Sequence, residues 1–137
     1  MKIKMSLFKD KKGQSLIEFA LVLPILLLVL LGIIEFGRII MAVNVLNQAA
    51  REGARVGAVT PESADSSFYY KIQDRVQEFI DAANLKGTPT VTIIPPDADR
   101  KITVTINYAF PFATKFFRLF LPQTVNLRGS CVMYYEG

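Results

Sequence analysis

Glu18 is the side chain in this sequence whose position most needs a chemical account. It stands at the head of the apolar run Phe19 to Ile34, where hydrocarbon should reject a carboxylate. A charge at the centre of a spanning helix costs roughly 2.5–3.5 kcal/mol on insertion scales, and less near an interface. A carboxylate kept there needs a partner, a task, or water at the interface. Five residues upstream, Gly13 closes a basic flank in which Lys2, Lys4, Lys9, Lys11 and Lys12 are opposed only by Asp10. Further along, Glu35 and Arg38 lie three apart and are spaced to pair on one helical face. Pro24, inside the run, has no backbone donor and is expected to kink the helix or open its ladder locally.

Other chemistry is scarce. The chain has no histidine and a single cysteine, Cys131. The usual acid–base and nucleophile pairings therefore cannot be assembled, and neither an internal disulfide nor a metal-ligand spacing exists. Cys131 is expected to be a small buried residue on a strand. Asp74, Glu78 and Asp81 fall along one helical face and read as solvated. Asp97 and Asp99 sit among turn formers. No glycine loop suited to cradling phosphate is present. Neither catalysis nor a cofactor is expected.

The elements that position these residues follow from periodicity. Sixteen residues, Phe19 to Ile34, are apolar all round, short of the ~20 that cross a bilayer upright. Adding Leu16, Ile17 and Phe36 to Val43 makes up the length. From Asn44 the pattern becomes amphipathic. Val45, Leu46, Ala49, Ala50, Gly53, Ala54 and Gly57 form a small-residue face that another helix or a sheet can approach closely. Thr60, before Pro61, ends the helix. A helix from Gln14 to Val59 would run on the order of 70 Å. A second helix, capped by Ser66 or Ser67, carries Tyr69, Ile72, Val76, Phe79, Ile80 and Ala83 at helical spacing, and Asn84 to Gly87 stops it. Thr90–Ile94 and Lys101–Tyr108 read as a hairpin around Pro95–Asp99, and Thr124–Tyr135 as a third strand. Between them Phe110-Pro111-Phe112, Phe116-Phe117 and Leu119 to Pro122 form an aromatic crossover, expected to pack on the sheet rather than meet a membrane or partner. The fold class is α+β: a long N-terminal helix, a second helix and a three-stranded antiparallel sheet.

The 137 residues suffice for one modest domain and an anchor. The net charge of +4 is concentrated at the N-terminus. Beside a hydrophobic segment it marks the cytoplasmic side of a membrane anchor rather than a nucleic-acid site. A secretory signal peptide shares the basic and apolar regions. Glu18 inside the apolar region, and the helix running on without a break, argue against one.

The stretch Gly13-Gln14-Ser15-Leu16-Ile17-Glu18-Phe19 resembles the processing site of type IV-pilin-like prepilins. The resemblance implies cleavage between Gly13 and Gln14 by a prepilin peptidase, with Glu18 fifth in the mature chain. Glu18-Phe19 is the form of the tight-adherence (Flp) subclass. Together with Pro24, Glu35-Phe36-Gly37-Arg38 and Ala49-Ala50-Arg51-Glu52-Gly53-Ala54-Arg55, the match is similar to the TadE family of minor pseudopilins over about residues 13–58. It implies a leader at 1–13, a transmembrane and amphipathic helix at 14–59 and an extracytoplasmic head at 60–137. The chain would be single-pass in the cytoplasmic membrane or carried into a pilus, with its N-terminus cytoplasmic. Implied partners are the peptidase, other pilin or pseudopilin subunits, and the assembly platform with its ATPase. Glu18 and Phe19 would act in recognition and assembly. The competing expectation is a membrane-anchored extracytoplasmic binding module.

Overall fold

The computed structural model describes residues 11–61, 66–115 and 123–136. In chain order these form α1 (Lys11–Val59), α2 (Ser67–Ala82), β1 (Thr90–Ile94), β2 (Lys101–Pro111) and β3 (Thr124–Tyr134). The strands make one antiparallel sheet in the order β1–β2–β3. This is the expected α+β fold. The chain divides into two compact units, Met1–Phe36 and Gly37–Gly137, and α1 contributes to both.

In the first unit α1 is apolar on every side, and none of its most apolar window is buried within the chain. Leu21 is 69% exposed and Ile25 66%. A helix apolar all round belongs in a core or in lipid, and the length and composition of this one fit a membrane span. Pro24 lies inside the helix. The helix begins at Lys11 rather than Gln14, so Gly13 is helical. One glycine costs about 1 kcal/mol against alanine, too little to stop a helix that continues on both sides.

The second unit is a small domain whose core draws on α1, α2, β2 and, through Leu127, β3. The last part of α1 gives Ala42, Leu46, Ala49, Ala50, Ala54 and Ala58; α2 gives Phe68, Ile72, Val76 and Ile80; β2 gives Ile102, Val104, Ile106, Tyr108 and Phe110. The small-residue face of α1 thus meets both a helix and a sheet, while Asn44, Asn47, Gln48, Arg51 and Arg55 stay outside. Two glycines set the approach. A Cβ on Gly53 would lie 2.6 Å from Val76 Cγ2, and one on Gly129 of β3 would lie 2.5 Å from the carbonyl carbon of Leu46. At Gly129 backbone packs against backbone, which leaves no side chain to yield.

Several local expectations change. Phe68, not Tyr69, leads the buried face of α2, because Phe68, Ile72, Val76 and Ile80 recur every four residues. Ser66 occupies the N-cap position but makes no side-chain cap bond; its helical φ of −55° and ψ of −9° differ from the extended conformation that capping uses. After α2, Asn84 adopts φ 53°, a left-handed conformation that ends the helix. β2 runs on to Pro111, paired with Thr124, so Phe110 belongs to the strand. Phe110 and Phe112 are buried, as packing on the sheet required. Phe116, Phe117, Phe120 and the rest of Leu119 to Pro122 lie outside the described residues. Cys131 is half-buried on β3 rather than enclosed.

The β1–β2 connection is held by Asp97, whose Oδ1 accepts from the backbone N–H groups of Asp99 and Lys101, each at 3.0 Å. The chain end is tied back as well: Glu136 N–H donates to the Ala58 carbonyl at 2.9 Å. That bond satisfies a carbonyl in the last turn of α1.

Candidate processing and assembly site

The first turns of α1 carry the residues singled out above. Gly13 is half-buried, and a Cβ built there meets nothing within 4 Å. The described packing of the chain therefore places no demand for glycine at 13. One turn later the Gln14 side-chain amide donates to Glu18 Oε1 at 3.1 Å. The i, i+4 spacing places residue 18 beside residue 14 on one stripe of the helix. Both side chains are exposed, and Phe19 is 61% exposed. Glu18 thus accepts from the Gln14 side chain one turn upstream.

Glu35 and Arg38 differ from each other in surroundings. Glu35 is 4% exposed, although Ile34 and Phe36 beside it are 60% and 65% exposed. Arg38 places its guanidinium 5.0 Å from the centroid of Phe110, a distance at which the ring face attracts a cation. The sequence held no signal for that stacking, since 71 positions separate the two residues. The buried state of Glu35 was equally hidden, because hydropathy counts a glutamate in an apolar run only as an interruption.

Among the described residues no group of three histidine, cysteine, aspartate or glutamate side chains is placed to hold a metal ion. The carboxylates Asp74, Glu78 and Asp81 are exposed on α2, where Glu78 pairs with Arg75 at 2.7 Å and Asp81 accepts from Gln77 at 2.8 Å. They serve as a solvated face.

Comparison with protein families places this arrangement. The family described as TadE-like protein matches residues 13–55, a span that begins at Gly13 and takes in Glu18, Pro24, Glu35 and Arg38. Residues 13–55 are TadE-like. The TadE-like span includes the apolar helix and most of the α1 face that packs in the second unit. Among the described residues one helix is long and apolar enough to cross a membrane, which fits a single-pass membrane protein. No curated protein and no solved structure matches the chain.

Proposed function

We propose that this chain is a TadE-like minor pilin or pseudopilin that acts in assembly of a tight-adherence (Flp) pilus. The observation that carries the reading is the TadE-like match over residues 13–55, which opens on Gly13 and includes Glu18. In this reading residues 1–13 are a cytoplasmic leader that a prepilin peptidase removes between Gly13 and Gln14. Residues 14–59 are the spanning and amphipathic helix, and residues 60–137 belong to an extracytoplasmic head. The lysine asymmetry supports that orientation. Partners are the peptidase, other pilin or pseudopilin subunits, and the platform and ATPase that draw the subunit from the bilayer. The work done is assembly rather than catalysis. Pro24 opens the helix within lipid.

Cleavage is the direct test. A peptidase must approach the scissile backbone closely, and glycine has no side chain to obstruct it. Intact-mass analysis of membrane-extracted protein should show a chain beginning at Gln14 in cells with an active prepilin peptidase. A Cβ at position 13 meets no neighbouring element within 4 Å among the described residues, so Gly13→Ala should leave the helix intact and accumulate the uncut form. A wild-type chain that keeps its first 13 residues in such cells would overturn the reading.

A further inference from the structure

We propose that a cavity in the second unit, walled by Arg38, Lys86 and Tyr108, seats the phosphate headgroup of an anionic membrane lipid. The cavity has a volume of about 370 Å³, at the small end of the ~300–1,000 Å³ usual for small-molecule sites. Arg38 comes from α1, Asn84 and Lys86 from the turn after α2, and Tyr108, Phe110 and Phe112 from β2 and its continuation. Two of the lining side chains are cations and none is a carboxylate. A cavity with that balance selects an anion.

Its cations are positioned. The Phe110 ring lies beneath the Arg38 guanidinium at 5.0 Å. The Tyr108 hydroxyl donates to the Lys86 carbonyl at 2.5 Å, fastening the turn that carries Lys86 to β2. The Lys86 side chain is exposed, and among the described residues no carboxylate is bonded to its ammonium. Tyrosine and basic residues beside apolar rings are the side chains that gather at membrane–water interfaces.

Lipid is favoured over a free anion by where these residues fall in the sequence. Arg38 follows the apolar run ending at Ile34 by four residues, about 6 Å of helix rise. The described continuation from Phe112 to Lys115 adds one exposed cation, Lys115, and no carboxylate, and basic residues close to a spanning helix attract anionic lipid headgroups. The proposal rests on the reading of α1 as a helix that crosses the bilayer.

The experiment uses the full chain in detergent micelles, titrated separately with phosphatidylglycerol, phosphatidylcholine and inorganic phosphate, with adducts counted by native mass spectrometry. Wild type should retain phosphatidylglycerol in preference to phosphatidylcholine. Lys86→Gln should lower that retention about fivefold, the effect of one cation near an anionic surface. Lys71→Gln, in the separate cleft between α2 and β1, should leave it unchanged. Arg38→Gln should act like Lys86→Gln, and the exposed Lys86 keeps the test decisive if the arginine variant unfolds. Equal retention by Lys86→Gln, equal retention of the two lipids, or inorganic phosphate bound as tightly as phosphatidylglycerol would overturn the lipid site. Alkaline extraction of native membranes separates the underlying reading. A chain released by it refutes the spanning helix, and with it the lipid assignment. A chain that resists it while Lys86→Gln retains lipid normally refutes the cavity alone.

Discussion

At the scale of single residues, Glu18 and Tyr108 each lead to a measurement. Cleavage after Gly13 would give Gln14 an α-amino group, cationic at neutral pH with a reference pKa near 7.7–8.0. The Gln14 side chain reaches Glu18 at 3.1 Å, and an amine at position 14 would stand about one helical turn from the carboxylate. An unpaired carboxylate in hydrocarbon is costly, and pairing cancels much of its field. Glu18→Ala should therefore insert and be processed normally but lose crosslinking to pilus components. Glu18→Asp, with a shorter arm, should be intermediate. Normal crosslinking by the alanine variant would reduce Glu18 to a hydrated interface residue. Tyr108 gives a pH dependence. Burial raises its pKa above the ordinary value of 10.0, with Arg38 pulling the other way. The folded chain then holds the phenolic proton to higher pH than the unfolded chain does. Its contribution is fully present below pH ~10 and is lost as pH rises through the folded pKa. Tyr108→Phe should lower stability by about 1 kcal/mol at neutral pH, through the lost bond to Lys86, and weaken the alkaline fall of the melting temperature above pH ~10.

At the scale of elements, the α1 face that packs in the second unit was legible as a run of alanines and glycines, and its consequences can be tested by substitution. Gly129→Ala would set a Cβ 2.6 Å from the Leu46 carbonyl oxygen and 2.8 Å from the Asn47 nitrogen. Forcing that contact should cost about 1–3 kcal/mol, read as a lower melting temperature of the full chain in detergent. Gly37→Ala, with nothing within 4 Å, should instead raise stability by up to ~1 kcal/mol from helix propensity. The helices and strands were readable because their periods are strong: Ile72, Val76 and Ile80 recur by four, and Ile102, Val104 and Ile106 by two. What escaped depends on tertiary contact. Nothing local in the sequence places Gly129 against Leu46, extends β2 through Pro111, or lays Arg38 over Phe110. Phe68 was passed over for Tyr69 because adjacent aromatics fit a helical period almost equally, and only the depth of the core chooses between them. At the processing site, Gly13, Gln14 and Glu18 were legible as a motif, whereas the burial of Glu35 needed coordinates.

At the scale of the whole molecule, the division at Gly37 marks where an independently folding fragment should begin. A cut at Asn44, where the amphipathic pattern starts, would remove Ala42, which is fully buried, and the Arg38 that stacks on Phe110. It would also strip Ile39 and Val43, which are partly buried against the same core. Losing packing of that kind from a domain of about a hundred residues takes a large share of a stability that is typically ~5–15 kcal/mol. A fragment starting at Gly37 keeps all of these contacts and still omits the exposed apolar helix from Leu16 to Phe36. It should therefore be soluble and monomeric by light scattering and should unfold in one cooperative transition. The fragment starting at Asn44 should melt at least several degrees lower, since 1 kcal/mol shifts the midpoint by roughly 4–8 °C in a domain of this size. Exposed Ile40 and Met41 are the risk in the longer fragment. If it aggregates, polar substitutions at those two positions should restore the monomer. Equal melting temperatures for the two fragments would show that the turn of α1 from Gly37 to Val43 adds nothing to the fold of the head.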